Sequence, residues 1–348
     1  QQPNDSDLAR RGRREAAMAL DVIYRPFQDE DRDNVISVLL ENYQLDYFHS
    51  ICYDGDKLVR ANRDHSHSLY VATLADGAFV GVTGAKFRVF FPQSYEMSLH
   101  MLGKRFQGQG LAKGLLGYCM TQSLNMPLTG VYGHCVTYHD VTQYEVAALG
   151  MVAAGVWPGR HLSNRTFLKA LGRELRSPKL HSLVVAKAGS LGRPGPLHCP
   201  EAHGAFVRAV YGRLGFNLSL DNTVSKPAPA LAALSQVEYW DNPQSVDLAL
   251  FFSRIGPDLP GLVDAALASR RDIGWQTWSV FLNMACPYSI WAYEECRQRG
   301  FYFTGLHPLH GGREYLMLHR EPPGGYIWEE MALTPDNQAI TQYILARK

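Results

Sequence analysis

The chain has 348 residues, of which 46% are hydrophobic and 19% charged, a composition typical of a folded globular protein with room for two domains. Its formal net charge of +1 excludes the broad basic field that captures duplex DNA. The six cysteines are scattered, and no apolar run reaches the roughly 18 residues that a membrane helix needs. We therefore expect reduced thiols, no metal site, no membrane association and a cytoplasmic location.

Strands and helices alternate in the first part of the chain. Residues 21–27 predict a strand, and residues 28–43 predict a helix with an acidic N-terminus and apolar residues at helical spacing. Residues 68–90 then form two β-rich runs separated by Asp76-Gly77, a dipeptide that favours a tight hairpin. This order indicates a mixed fold with an antiparallel sheet.

A glycine-rich stretch follows the next strand, which is predicted over residues 94–102. Alternation along that strand places Glu96, Ser98, His100 and Leu102 on one face. The stretch KRFQGQGLAKGLL, residues 104–116, has glycines at 108, 110 and 114, although each costs about 1 kcal/mol against alanine inside a helix. From Leu111 the apolar spacing predicts a helix, and residues 131–138 predict the strand after it.

A strand, a glycine loop and the start of a helix form the arrangement in which free backbone N–H groups bind an anion such as phosphate. Two known phosphate loops do not fit this stretch. It lacks the GKS or GKT ending of a mononucleotide P-loop, and it lacks a GxGxxG pattern with an acidic residue roughly twenty residues later. ATP hydrolysis and NAD binding are both disfavoured.

The segment FQGQGLAKGLL resembles motif A of the GNAT superfamily of acyl-CoA-dependent N-acyltransferases, whose pattern Q/R-x-x-G-x-G/A opens a helix after a long strand. We prefer the register that begins at Gln107, because it places Leu115 and Leu116 where the family has buried leucines; a second register begins at Arg105. The resemblance implies acetyl-CoA or another acyl-CoA as co-substrate, with its diphosphate over residues 107–112 and its pantetheine between the strands 94–102 and 131–138. The implied binding residues are Leu102, Arg105, Gln107, Gly108, Gln109, Gly110, Leu111 and Ala112.

The sequence also contains an internal repeat at an offset of 150 residues. Glycines and a proline recur at this offset, as Gly150, Gly155 and Pro158 and again as Gly300, Gly305 and Pro308. The second copy keeps the order of strand, helix and strand but retains only Gly256 of the glycine loop. We therefore predict an α/β (α+β) tandem GNAT fold, with a mixed, mostly antiparallel sheet flanked by helices in two copies.

Four segments follow from this prediction. They are a mobile arm (1–20), an N-terminal GNAT domain with the acyl-CoA loop (21–220), a Pro/Ala-containing linker (221–232) and a degenerate GNAT-like domain (233–348). Two further elements resemble a tandem subgroup of the family and extend the resemblance over residues 21–348. They are His139, Thr142, Gln143 and Gly150 in the first element, and Tyr211, Leu214 and Gly215 in the second.

Transfer of an acyl group from a thioester to an amine requires an uncharged amine, correctly held reactants and a proton for the thiolate. Glu96 occupies the position from which the family often draws its base, and His100 is a second candidate on the same predicted face. The family's usual acid, a tyrosine, is replaced by Val146, so Tyr138 and Tyr144 are the candidate acids. Backbone N–H groups around Leu102 are expected to polarise the thioester carbonyl.

The predicted function is transfer of an acyl group, most simply acetyl, from acyl-CoA to the amine of a small molecule by direct attack in a ternary complex. The acceptor would be an antibiotic, an amino acid or an intermediate of natural-product biosynthesis. Two alternatives stay open: a transferase that uses aminoacyl-tRNA as donor, which the basic N-terminal arm favours, and a non-catalytic protein that binds CoA or a metabolite. No other nucleic-acid partner is expected, and the chain is expected to be a monomer or homodimer.

Overall fold

The structure is a computed structural model that describes residues 20–47, 50–88, 91–163, 168, 175–192, 194–228, 233–242, 246–270, 273–274 and 276–348. The chain divides into two compact units. Of the described residues, the first contains those up to Pro127 together with Leu168, and the second contains those from Leu128 to Ser163 and from Leu175 to Lys348. Residues 1–19 of the predicted arm and 229–232 of the predicted linker lie outside the described residues. The predicted division of the chain at a linker over residues 221–232 stays a prediction.

The first unit contains an antiparallel sheet in the order β1-β2-β3-β4. Its elements are β1 (Val22–Pro26), α1 (Arg32–Tyr43), α2 (Gly55–Arg63), β2 (His67–Leu74), β3 (Phe79–Phe87), β4 (Ser94–Leu102) and α3 (Leu111–Leu124). The predicted first strand, first helix and hairpin are confirmed, and Gly77 takes the positive φ of +87° that the tight turn requires. Helix α2 was not predicted from the sequence.

Each face of this sheet carries its own apolar core. On one face, Leu69, Val71 and Val82 pack with residues of α1 and α2 such as Leu39 and Leu58. On the other face, the sheet residues pack with α3; this cluster contains Ala72, Val80, Leu102, Leu111 and Leu115. The sheet is therefore packed against helices on both of its faces.

The second unit contains a sheet in the order β5-β7-β6-β13-β14-β12-β11-β10, in which β11 and β12 are parallel and the other described pairs are antiparallel. A separate parallel pair joins β8 and β9. The elements are β5 (Gly130–Val136), α4 (Val141–Ala148), β6 (Val152–Leu162), β7 (Lys179–Ala188), β8 (Leu197–His198), α5 (Glu201–Arg213), β9 (Leu220–Asp221), β10 (Gln236–Asn242), β11 (Asp247–Arg254), α6 (Leu259–Ser269), β12 (Thr277–Asn283), α7 (Ser289–Gln298), β13 (Tyr302–His310), β14 (Arg313–Arg320) and α8 (Pro335–Leu345). The prediction of a mixed α/β fold with a mostly antiparallel sheet flanked by helices is confirmed. None of the described helices is both long and apolar enough to span a bilayer.

The strand order of the second unit shows the repeat directly. Read outward from the centre, the sheet runs β6-β7-β5 on one side and β13-β14-β12 on the other. The repeat-related Gly155 and Gly305 lie opposite each other where β6 meets β13. The helices before these strands end alike, since Gly150 and Gly300 take φ values of +78° and +82° immediately after α4 and α7. Two copies of one supersecondary unit therefore meet at a pair of glycines.

The two glycines where the copies meet have no room for a side chain. A Cβ on Gly305 would collide with the Cα atom of Gly155 and the carbonyl oxygen of Ala154, and Gly305 has a φ of +126° that other residues rarely adopt. A Cβ on Gly155 would likewise lie 2.8 Å from the Cα atom of Gly305. The conserved spacing of these two glycines in the repeat is explained by close approach of backbones.

We expect Gly305→Ala to lower the apparent free energy of unfolding by about 2 kcal/mol or more, because overpacking and a strained φ both oppose folding. The matched control is Gly261→Ala in α6, where a Cβ meets open space and a helix interior favours alanine, so stability should rise slightly. Urea unfolding followed by circular dichroism measures both. Equal midpoints for Gly305→Ala and the unmodified chain would contradict the proposed packing.

Candidate active site

The glycine loop between β4 and α3 is built on backbone conformation. After a 3-10 turn at Lys104–Phe106, Gly108 and Gly110 take φ values of +73° and +80°. A Cβ at either position would meet no atom of the protein within 4 Å. Backbone conformation, and not crowding by the protein, therefore requires glycine, and the space that a Cβ would fill is open to a ligand. Gly114 differs, because a Cβ there would collide with the hydroxyl of Tyr24 on β1, and the Tyr24 ring would have to move.

The loop presents N–H donors at the start of a 14-residue helix. Gly110 is the N-cap of α3 and provides no side-chain cap. Within the part of the chain that the structure describes, the N–H groups of residues 108–113 have no protein acceptor. Exposed Lys104, Arg105 and Lys113 flank them. Unpaired donors, the positive end of a helix dipole and nearby cations together favour an anion at this position.

The side chain of Asn42 on α1 forms hydrogen bonds that hold the loop. The Nδ2 atom of Asn42 donates to the carbonyl oxygens of Val38 (2.8 Å) and Leu102 (2.9 Å). The Nε2 atom of Gln107 donates to Asn42 Oδ1 (2.7 Å) and to the Leu102 carbonyl (3.2 Å), and that of Gln109 donates to the Arg105 carbonyl (2.7 Å). The amide groups of Gln107 and Gln109 thus stabilise the loop itself. Sequence reasoning missed Asn42, which lies 65 residues before Gln107.

Strand β4 contains a bulge just before the loop. Gly84 pairs with Ser98 and Val82 pairs with Met101, so Leu99 and His100 together lie opposite a single residue of β3. Leu99 has a φ of +52°, which is unusual for a residue with a side chain. Because the extra residue reverses the alternation, Met101 shares the face of Ser98, and His100 lies on the opposite face. The prediction that His100 shares a face with Glu96 was therefore wrong.

The end of β4 directs backbone groups away from β3. The N–H of Gly103 donates to the carbonyl oxygen of Val80 (3.0 Å), which makes Gly81 and Leu102 a pair without mutual hydrogen bonds. The peptide groups of Leu102 consequently point to the other side of the strand, where its carbonyl accepts from Asn42 and Gln107. This orientation is the one that the predicted contact of a Leu102 N–H with a thioester carbonyl needs.

Glu96 lies in a row of three titratable side chains across β4, β3 and β2. It is 4% exposed, and its Oε2 atom accepts from Arg88 Nε (3.1 Å) and Nη2 (2.9 Å). In the sheet register Glu96 pairs with Lys86, and Lys86 pairs with His67. Burial, aided by the nearby charge of Lys86, lowers the pKa of His67 to about 4. The carboxylate of Glu96 is thus buried and fixed in position by its ion pair with Arg88.

The two candidate acids belong to the other compact unit. Tyr138 is 3% exposed, and its ring packs edge-on against His139 with 4.7 Å between centroids. Tyr144 lies in α4 and is 55% exposed. The role of each as proton donor stays a prediction, as does the path of pantetheine between β4 and β5, which also belong to different units.

The family-like residue Gln143 has a structural role. Its side chain is fully buried. Its Nε2 atom donates to the carbonyl oxygens of Ala332 (2.8 Å) and His139 (3.2 Å), and its Oε1 atom accepts from Asn337 Nδ2 (3.1 Å). It therefore connects α4 to the segment that leads into α8.

Tyr211, in the second family-like element, also has its hydrogen bonds within the fold. Its hydroxyl donates to the carboxylate of Glu314 on β14, which also accepts from the backbone N–H of Leu309 (2.9 Å). Burial raises the pKa of Glu314 to about 7. The pair links α5 to the second copy of the repeat.

In the second copy, the chain itself fills the position of the glycine loop. A Cβ on Gly256 would lie 2.5 Å from the carbonyl oxygen of Ala233 and the nitrogen of Ser235. The N–H of Gly256 donates to Ser235 Oγ (2.9 Å), and the N–H of Ser235 donates to Asp258 Oδ1 (2.7 Å). Residues 233–235 thus cover Gly256, and the N–H groups of Gly256 and Leu259 have acceptors within the chain, in contrast to the open N–H groups before α3.

Comparison with known proteins gives structural matches only. No family model matches the chain, and no curated protein matches it in sequence. A point mutant of the spermidine N-acetyltransferase SpeG from Vibrio cholerae is 15% identical, with 48% of this chain and 92% of that chain covered and a TM-score of 0.38. A mutant form of the spermidine/spermine N-acetyltransferase SpeG from the same organism is 15% identical, with coverages of 49% and 96% and a TM-score of 0.39. The similarity covers about half of this chain and nearly all of each of those chains.

We expect Asn42→Ala to loosen the glycine loop, because it removes the acceptor of Gln107 and a donor to Leu102. Trypsin cleavage after the exposed Lys104 and Arg105 should then become several-fold faster. Asn125→Ala, an exposed position at the C-terminus of α3, is the matched control and should leave the rate unchanged. Identical cleavage rates for Asn42→Ala and the control would mean that Asn42 does not hold the loop.

Proposed function

We propose that this chain is an N-acyltransferase of the GNAT type that transfers an acyl group, most simply acetyl, from acyl-CoA to the amine of a small molecule. The observation that carries the proposal is the loop before α3, where Gly108 and Gly110 hold a positive φ and the N–H groups of residues 108–113 lack protein acceptors among the described residues. A diphosphate is the anion that best matches several convergent N–H donors at a helix start.

Each part of the loop has a role in this proposal. The N–H groups of residues 108–113 bind the diphosphate of the co-substrate, and exposed Lys104, Arg105 and Lys113 contribute favourable charge. Gln107 and Gln109 contribute by stabilising the loop, through Asn42 and the Arg105 carbonyl. The backbone N–H of Leu102, which points away from β3, is proposed to polarise the thioester carbonyl.

The reaction forms one bond and breaks one. The amine nitrogen attacks the carbonyl carbon of the thioester, the C–N bond forms, the C–S bond breaks, and the sulfur leaves as a thiolate that is then protonated. A free alkyl amine titrates near pH 10, so a base must take its proton near neutral pH. We assign this role to Glu96, acting through water, with Arg88 fixing the carboxylate.

The filled loop of the second copy favours one donor site per chain. Residues 233–235 pack directly against Gly256, where a Cβ would not fit, and Ser235 Oγ accepts from the Gly256 N–H. The space that a diphosphate would take in the first copy is thus filled by the chain itself in the second. The acceptor in this proposal is the amine of a small molecule.

We expect Gly110→Val to weaken acetyl-CoA binding at least about tenfold, because a β-branched residue opposes positive φ and its side chain enters the space above the loop. Calorimetry measures the affinity. Gly261→Ala in α6 is the control and should bind as the unmodified chain does. Absence of acetyl-CoA binding by the unmodified chain would overturn the proposed donor, and co-purified tRNA would then favour the aminoacyl-tRNA alternative.

We expect Glu96→Gln to lower kcat by about 100-fold or more with little change in the affinity for acetyl-CoA, because an amide accepts hydrogen bonds but cannot take the proton. Thiol release with a panel of small amines measures turnover, and raising the pH should restore part of the rate by deprotonating the amine directly. Glu201→Gln on the exposed start of α5 is the control. An unchanged pH profile for Glu96→Gln would assign the base to another group. Binding of acetyl-CoA without turnover of any amine would favour the non-catalytic alternative.

A further inference from the structure

A cleft in the second unit lies outside the features described so far. It has a volume of about 940 Å³ and is lined by Leu267 of α6, Trp278 at the start of β12, Arg320 at the end of β14, and Pro322 and Pro323 after it. Small-molecule sites commonly have volumes of about 300–1,000 Å³ and mostly apolar walls with a few polar groups. The cleft therefore has the size and lining of a ligand site.

Two carboxylates also line the cleft, and both have partners within the protein. Asp264 accepts from Arg299, with Nε to Oδ1 at 2.8 Å and Nη2 to Oδ2 at 3.1 Å. Glu321 accepts from the hydroxyl of Tyr302 (2.6 Å) and from Lys348 Nζ (2.6 Å). Their negative charge is thus compensated. The side chain of Arg320 is half-buried, and over the described ranges of the chain its guanidinium forms neither an ion pair nor a hydrogen bond.

The guanidinium of Arg320 is positioned by an aromatic ring. Arg320 lies opposite Trp278 in the pairing of β14 with β12, and its guanidinium carbon is 5.7 Å from the ring centroid. The indole N–H of Trp278 donates to the carbonyl oxygen of Ala266 (3.2 Å), which fixes the ring. A cation over an aromatic face keeps its N–H donors in its own plane, so the contact leaves them able to bind an anion.

The first copy of the repeat uses the matching cation differently. Lys187 lies opposite Val131 in the pairing of β7 with β5 and is the cation next to Gly150, as Arg320 is next to Gly300. Its Nζ atom donates to the carbonyl oxygen of Leu149 at the end of α4 (2.7 Å). At the end of α7, the corresponding turn holds Arg299, which donates to the Glu295 carbonyl (2.8 Å). Arg320 is therefore not needed to cap its helix.

We propose that this cleft binds a small organic carboxylate, with the guanidinium of Arg320 donating two parallel hydrogen bonds to the carboxylate and the apolar body packing against Leu267, Trp278 and Pro322. The planar fork of one guanidinium matches one carboxylate. A phosphate, with its larger charge, would be expected to require further cations, and the nearby Lys348 is already paired with Glu321. This site is independent of the proposed acyl transfer.

Fluorine NMR with para-fluorobenzoate as probe tests the proposal on the full chain. We expect saturable line broadening with the unmodified protein and no effect with the neutral isostere para-fluorobenzamide. Arg320→Gln should weaken probe binding at least about tenfold, since the charged pair is lost. Arg297→Gln is the matched control, because this arginine is exposed on α7 and does not line the cleft.

A second variant keeps the test independent of the stability of Arg320→Gln. Pro323→Trp places a bulky side chain at an exposed position of the cleft wall without altering Arg320, and it should also weaken binding. The proposal is overturned if the unmodified chain does not bind the probe in the millimolar range. It is equally overturned if Arg320→Gln and Pro323→Trp both bind as the unmodified chain does, if the benzamide binds as well as the benzoate, or if inorganic phosphate displaces the probe at lower concentration than benzoate does.

Discussion

The unpaired N–H groups at the start of α3 are the constraint on which the proposed chemistry depends. A helix always begins with N–H groups that have no partner within the helix, and most proteins satisfy them with a capping side chain or water. Here the cap is Gly110 in a left-handed conformation, and a second positive φ at Gly108 opens the turn. The bulge of β4, the carbonyl of Leu102 and the amide of Asn42 all serve to place this turn.

The two copies of the repeat show what such a turn can become. Before α3 the donors face open space, whereas before α6 residues 233–235 pack directly against Gly256 and Ser235 Oγ accepts from its N–H. The two helix starts therefore differ in how far the chain itself covers the backbone. The same divergence is visible at the other end of the repeat, where Lys187 caps a helix and Arg320 lines a cleft.

Local signals in the sequence predicted much of the fold. The hairpin at Asp76-Gly77, the glycine loop, and the repeat of Gly155 as Gly305 are all encoded by residues whose conformational requirements differ from those of their neighbours. Helix α2 was missed because it is only nine residues long and most of these residues are polar. The contact of Asn42 with Gln107 has no sequence signal, since it depends on how α1 packs against β4.

The candidate side chains were harder to predict than the backbone of the loop. Leu99 gives no sign of the positive φ that it adopts, so the reversal of facing at His100 was not predictable from alternation. A glutamate on a strand is usually solvated, yet Glu96 is buried and Arg88 compensates its charge. Backbone geometry follows from glycine positions nearby in the chain, whereas side-chain environment follows from tertiary packing.

Amide chemical shifts measure directly whether the N–H groups of residues 108–113 bind the diphosphate of acyl-CoA. In an isotopically labelled chain titrated with CoA, we expect large downfield shifts of these amide protons, because each gains a charged acceptor. No such shift is expected at Gly256, whose N–H donates to Ser235 Oγ, or at Leu259, whose N–H donates to the Gly256 carbonyl. CoA-induced shifts confined to other parts of the chain, with residues 108–113 unchanged, would mean that this loop does not bind the diphosphate.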